Sequence, residues 1–336
     1  YTYILRCGFF FFFFSCYGDH RDLYRVDRRQ RQRCIRDSNY LAQKGKRIIS
    51  VDLKPRTFDY LEEFKDQINF IQGDVLEWSQ ILPIFHSKEN EIEGIIHTPA
   101  EMASPRYWNN PYRSTYLNVV GTLNLLEFAR LYQVPKFLYV SSGAVYGEVK
   151  DSPSELTHPV NPSDLYGAGK VGSEYISLQY GNHYQIDVRI IRPYFFFGPG
   201  LLPSEMNPLF RNLLGSMEGL DNLQLEKGRD QSLGFTYVKD TALGAVLAYE
   251  TEHPEHRVFN IATDEVTSFP ELARLAQKYS DKPQKVILGA GKLFPRGETL
   301  DISLAMKELG YTPQYRMEKA VAEYSEWIQK QLRSKM

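Results

Sequence analysis

Apolar residues along the chain gather into short, dense runs. Lys46–Leu53 (KRIISVDL), Ile68–Val75 (INFIQGDV), Gly94–His97 (GIIH), Lys136–Ser141 (KFLYVS) and Asp187–Pro193 (DVRIIRP) are rich in Ile, Val and Leu and lack strict polar alternation. Such runs suit strands of a parallel sheet covered on both faces. Between them the spacing becomes helical. Ser114–Tyr132 sets Leu117, Gly121, Leu125, Leu126 and Ala129 on one face, and Tyr166–Gly181 does the same with Val171, Tyr175 and Leu178. Strand and helix in alternation predict an α/β protein with a doubly wound parallel sheet.

The rhythm changes after residue 195. Gly198-Pro199-Gly200 and Pro203 mark a loop, and helical patterns follow over Phe235–Glu250, Phe269–Ser280 and Met317–Leu332. The expected division is a first unit over 39–195 and a smaller mixed α/β unit over 196–336, interleaved with the first. No internal repeat is visible.

Residues 1–38 stand apart. They contain all three cysteines (Cys7, Cys16, Cys34), a run of six phenylalanines over 9–14, eight arginines and no lysine, and they open on Tyr1. From Asn39 onward the composition is ordinary. The expectation is that this atypical segment derives in part from a wrongly joined or frame-shifted coding stretch. Arg6 followed by Phe9–Phe14 has the outline of a charged and an apolar leader region, but the apolar core is short and no small-residue cleavage site follows. A cytoplasmic protein is expected.

Composition narrows the function classes. The chain has 336 residues, 43% of them apolar, which is enough for a large core and excludes disorder as its main state. The 40 basic and 41 acidic side chains nearly cancel, so a nucleic-acid partner is not expected. No apolar run approaches the ~18 residues of a membrane span, and no membrane partner is expected. The scarce cysteines exclude a disulfide framework.

Candidate chemistry starts at Tyr166-Gly-Ala-Gly-Lys170. Side chains four apart on a helix share a face. A lone phenol is a poor base at neutral pH, but an ammonium ~5 Å away at an effective dielectric of ~20 favours the phenolate by about 3 kcal/mol. That makes Tyr166 a candidate general base. Ser142, in Tyr139-Val-Ser-Ser-Gly-Ala-Val-Tyr-Gly147, ends an expected strand, where open α/β sheets bind their ligands.

Together these residues resemble the extended short-chain dehydrogenase/reductase family, the NAD-dependent sugar epimerases and dehydratases, and in particular its UDP-sugar 4-epimerases. The resemblance runs from about Gly45 to Leu332. Supporting matches are Val51-Asp52, Gly73-Asp74-Val75, Asn118-Val-Val-Gly-Thr-Leu-Asn-Leu-Leu-Glu127, Arg192-Pro193, Gly198-Pro-Gly200 and Phe235-Thr-Tyr-Val-Lys-Asp240. Phe259-Asn-Ile261, Leu309-Gly-Tyr311 and Trp327 follow in order. The resemblance implies a Rossmann-like fold with a catalytic set of Ser142, Tyr166 and Lys170. Serine would orient the substrate hydroxyl, tyrosine would take its proton, and lysine would also hold the nicotinamide ribose. Asp52, followed by Leu53, would accept from the adenosine ribose, which favours NAD over NADP, although Lys54 and Arg56 follow closely. Asp74 and Val75 would meet the adenine, and Thr98, Pro99, Ala100, Asn118 and Pro193 would line the cofactor.

One family feature is missing. The glycine-rich turn that lets a backbone approach a pyrophosphate is absent, and in the outline Ile4–Gly8 followed by six Phe and Ser15, bulky rings fill the glycine slots. A catalytically dead dinucleotide-binding homologue is therefore one alternative. Dehydrating members of the family place an acidic residue where this chain has Ala144, so the resemblance implies epimerisation of a nucleotide sugar through a transient keto intermediate. The other alternative is an NAD-dependent dehydrogenase or reductase of a sugar or other alcohol. Phe195 stands where related enzymes often carry Asn, and Leu233-Gly-Phe235 where they carry Arg-Asp-Phe; Arg229 and Arg296 are the candidate phosphate contacts. No Cys/His ligand spacing appears, so no metal is expected, and His253 and His256 are expected to be solvated. The family implies a homodimer through helices 114–132 and 166–181.

Overall fold

A computed structural model describes residues 10–15, 40–53, 66–87, 91–101, 109–149, 151–200, 202–206, 208–281, 285–293, 295 and 297–333. Its main sheet has seven parallel strands. In chain order these are β1 (Phe10–Ser15), β2 (Arg47–Asp52), β3 (Ile68–Gln72), β4 (Ile92–His97), β5 (Lys136–Val140), β6 (Asp187–Pro193) and, further on, Val258–Ile261. The spatial order is β3-β2-β1-β4-β5-β6 with Val258–Ile261 on the far edge. This is the doubly wound order, and its direction reverses between β1 and β4.

In the strands inside the edge strand β3, the absence of polar alternation has a direct cause: both faces are buried. Ile49, Ile95, Phe137, Tyr139 and Ile190 face one core, which includes helix α1 (Trp78–His86) and helix α2 (Pro111–Leu131). Their neighbours Ile48, Ile96, Leu138, Val140 and Ile191 face the other. Full burial of such a side chain is worth about 1.5–3 kcal/mol. Helix α3 (Leu165–Tyr184) packs along α2. Asn110 caps α2 by accepting from the Arg113 N–H at 3.1 Å, and Asp164 caps α3 by accepting from the Gly167 N–H at 2.7 Å.

The core on the second face is shared by α4 (Pro208–Leu214), α5 (Val238–Glu250), α6 (Phe269–Lys278), α7 (Ser303–Leu309) and α8 (Met317–Arg333), with α5 packed on β5 and β6. Two small sheets accompany them: β7 (Leu223–Leu225) pairs in parallel with β11 (Val286–Leu288), and β8 (Ser232–Leu233) antiparallel with β10 (Thr267–Ser268); the far-edge strand Val258–Ile261 is β9.

The sheet reaches beyond 39–195 in both directions. Residues 10–15, from the segment set apart by composition, form its central strand, with Ser15 paired to Asp52. Phe10–Phe14 belong to this strand, so the turn expected over the phenylalanine run does not fall on these residues. The turn position follows Ser15 and lies outside the described residues, where the sequence offers Gly18 as the single glycine between 16 and 39. At the other edge, β9 comes from 196–336 and pairs with β6. Among the described residues, no helix is long and apolar enough to cross a membrane.

Candidate active site

The carboxyl ends of β2, β4, β5 and β6 share one edge of the sheet, as parallel pairing requires. Ser142 follows β5 and starts a 3-10 turn over Gly143–Tyr146; its Oγ accepts from the Ala144 N–H at 3.2 Å. The turn leans on the first turn of α3. Ala144 and Tyr166 pack together with Ala100, and a Cβ at Gly167 would come within 2.8 Å of the Ala144 carbonyl. Glycine is required there by contact rather than by backbone angle.

Tyr166 and Lys170 lie on one face of α3, as their spacing predicts, and both are buried. The Lys170 ammonium is 6.0 Å from the Tyr166 ring centroid and 4.8 Å from that of Tyr139. It donates to the Val140 carbonyl at 2.8 Å. Backbone and ring together hold the cation at the sheet edge.

His97 was not singled out from the sequence. It is fully buried at the end of β4, stacked on Tyr139 with centroids 5.6 Å apart. Its Nε2 lies 2.9 Å from Thr122 Oγ1, whose own proton goes to the Asn118 carbonyl at 2.7 Å. The network therefore assigns the proton of the ring to Nε2. Burial first, and the Lys170 charge second, hold its pKa well below the ordinary range, so the ring is neutral.

Asp52 is buried at the end of β2, and Leu53 follows with its carbonyl accepting from Gln72 Nε2 at 2.9 Å. The Asp74 carboxylate accepts from the Leu76 N–H at 2.9 Å and so shapes the turn into α1. The Val75 side chain belongs to the core, and its carbonyl accepts from Asn124 at 2.9 Å. Thr98 and Pro99 are buried and Ala100 is half-buried. Asn118 acts as a clamp. Its Nδ2 donates to the Glu101 carbonyl at 3.0 Å, and its Oδ1 accepts from the Glu101 N–H at 2.7 Å, tying the loop after β4 to α2. Pro193 ends β6 opposite Ile261.

The substrate residues are less gathered. Tyr194 packs on the site, since a Cβ at Gly143 would meet its ring at 2.7 Å, and Phe195 stands edge-on to Tyr194 with centroids 4.7 Å apart. Phe195 has φ +26°, a strained value for a bulky residue. Arg229 is exposed on the loop between β7 and β8, and its N–H donates to the Gly289 carbonyl at 3.0 Å. Arg296 lies outside the described residues. His256 is not simply solvated. Its Nδ1 is 2.7 Å from Glu308, and with Glu255 these residues bring ligand atoms within 4.8 Å of one another.

The donor and acceptor set fits the ribose and nicotinamide portion of a dinucleotide: a carboxylate at the end of β2, and a hydroxyl, a phenol and an ammonium beside β5. The stretch between β1 and β2 where the family carries its glycine-rich turn lies largely outside the described residues.

A doubly wound sheet with a buried Tyr-x-x-x-Lys helix at its carboxyl edge defines a dinucleotide-dependent enzyme class. The sequence pattern of the NAD dependent epimerase/dehydratase family matches residues 38–262, and the chain belongs to that family. It is 29% identical over 251 residues to a putative UDP-glucose 4-epimerase of Methanocaldococcus jannaschii, covering 71% of this chain and 77% of the relative. It is 27% identical to a dTDP-glucose 4,6-dehydratase of Streptomyces antibioticus over 77% of this chain and 76% of the relative. The crystal structure of a UDP-glucose 4-epimerase with UDP-glucose from Thermotoga maritima superposes with a TM-score of 0.79 at 23% identity, over 96% of this chain and 99% of that one, which shows the shared fold.

Proposed function

We propose that this chain is an NAD-dependent epimerase of a nucleotide sugar. The observation that carries the reading is the buried Lys170 ammonium beside Tyr166 at the carboxyl edge of the sheet. Asp52 and Leu53 would meet the adenosine ribose, Asp74 and Val75 the adenine, and Thr98 to Ala100, Asn118 and Pro193 the length of the cofactor. Bound NAD would supply the hydride acceptor and donor. The chain's own residues handle the proton. Tyr166, as phenolate, takes it from the sugar hydroxyl and returns it when the hydroxyl re-forms. The Lys170 charge stabilises that phenolate, and Ser142 Oγ orients the sugar oxygen.

Ala144 favours epimerisation over dehydration. Its methyl group packs with Tyr166 and Ala100, so no carboxylate stands there to assist loss of water. The relatives' names point to a uridine or thymidine diphosphate sugar, with Phe195, Arg229 and Arg296 as candidate contacts. The second reading is an NAD-dependent dehydrogenase of a sugar or other alcohol, supported by Phe195 and Leu233, which stand where related enzymes often carry Asn and Arg to grip a nucleotide sugar. A homodimer is supported by exposed Tyr112, Tyr116, Leu165 and Tyr175 on α2 and α3, and sedimentation of a Tyr175→Glu variant tests it.

The activity test incubates the protein with NAD and a panel of nucleotide sugars and follows the C4 epimers by NMR. Tyr166→Phe should lower turnover by about 10²–10⁴-fold. Unchanged turnover in that variant removes the tyrosine from the chemistry, and stoichiometric NADH release moves the assignment to the dehydrogenase.

A further inference from the structure

Behind the site lies a buried charge pair that the proton chemistry does not use. Arg192 on β6 and Glu174 on α3 have side chains 8% and 5% exposed. Arg192 Nε and Nη2 donate to Glu174 Oε1 and Oε2 at 2.9 and 2.6 Å, a two-pronged contact. Arg192 Nη1 donates to Tyr146 Oη at 2.8 Å, and the guanidinium stands 4.9 Å from the centroid of that ring. Tyr146 Oη donates to Asn260 Oδ1 at 3.0 Å. Asn260 Nδ2 in turn donates to the Pro153 and Asp301 carbonyls, both at 2.9 Å.

The geometry points to Arg192 and Glu174 as positioning residues that set the rotation of α3 against the turn carrying Ser142. Tyr166, Lys170 and Glu174 are spaced i, i+4, i+8 on one helix, so fixing Glu174 fixes the angle of the face that carries the phenol and the ammonium. Tyr146 closes the turn that begins at Ser142, and the same guanidinium holds it. One planar fork therefore ties both halves of the site together. An apolar pair of equal volume fills such a space as stably, because desolvation offsets most of the ionic attraction. What the apolar pair lacks is direction, since two parallel N–H···O bonds fix an angle that methyl contacts do not. The inference rests on the reading of Tyr166 as the base.

The test uses Glu174→Met with Arg192→Met, and separately Arg192→Lys, in the full chain. Thermal stability, the Tyr166 titration by tyrosine-¹³Cζ NMR (assigned with Tyr166→Phe), and kcat and KM are measured. The double variant should melt within a few degrees of the parent. Its Tyr166 titration should move up by about half to one pH unit as the ammonium shifts relative to the phenol. Turnover should fall about tenfold or more with KM nearly constant, and Arg192→Lys should shift both readouts the same way by less. A stable double variant with the parent's titration and kcat overturns the inference. If the double variant does not fold, a parental titration in Arg192→Lys overturns it too. A parent without epimerase activity defeats the functional reading alone, because the titration still reports the positioning.

Discussion

Replacing His97 with Gln should change how stability responds to acid more than stability itself. Gln can still donate from its Nε2 toward Thr122 Oγ1, the contact His97 makes at 2.9 Å. It cannot take up a proton. In the folded protein burial and the Lys170 charge depress the His97 pKa far below its ordinary value near 6.5, whereas the unfolded chain protonates normally. Below pH 6.5 the unfolded state thus binds a proton that the native state does not. The contribution is fully present above pH 7 and is lost as pH falls. The slope approaches about 1.4 kcal/mol per pH unit, and from pH 7 to 5 the loss totals about 2 kcal/mol at most. Glu155 and Asp240 act oppositely. Burial raises both carboxyl pKa values, so they favour the native state as pH falls through that raised range. The informative quantity is therefore the difference between parent and variant. Urea unfolding at half-unit steps from pH 7.5 to 5 measures it. The variant curve should be flatter by close to one proton, and parallel curves would show that His97 protonates freely in the native state.

Other substitutions test the packing and the strain. Phe195→Asn should change stability by less than about 1 kcal/mol, because relief of the positive φ offsets the lost ring contacts, while KM for the sugar shifts. A loss as large as that of Phe197→Asn, at a fully buried ring, would refute the strain. Gly94→Ala should cost about 2–3 kcal/mol, since its Cβ would lie 2.1 Å from Tyr249 Oη, and adding Tyr249→Phe should recover part of the loss in thermal melts. Asp240→Asn should cost about 1–3 kcal/mol in urea unfolding, because the buried carboxylate accepts from the Gln314 and Tyr315 N–H groups at 2.8 and 3.1 Å.

The apolar runs were readable because burial on both faces favours apolar residues at successive positions of a strand, as in Ile48-Ile49, Ile95-Ile96 and Ile190-Ile191. Asp187–Pro193 is a strand over those same residues, and Phe269 and Met317 start helices where the pattern predicts. The Tyr166 and Lys170 pairing was readable for a similar reason: one helical turn fixes it locally. The far strand Val258–Ile261 was not, because four residues carry too little pattern and its partner Asp187–Pro193 is distant in sequence. The central strand was hidden by its composition, since five phenylalanines and a serine give no period of their own and only pairing with β2 and β4 places them.

Local spacing could not show what lies around the reacting groups. His97 ends an apolar run and is ordinary as a letter, and its pKa falls well below the ordinary range only because the fold buries it and brings the Lys170 charge near it. Glu174, Arg192, Tyr146 and Asn260 come from four separate elements. Sequence determined which residues repeat at helical or strand spacing, because those periods are properties of the backbone. Tertiary structure alone decided which charges lose their water and whom they then bond, because desolvation depends on every neighbour the fold brings in.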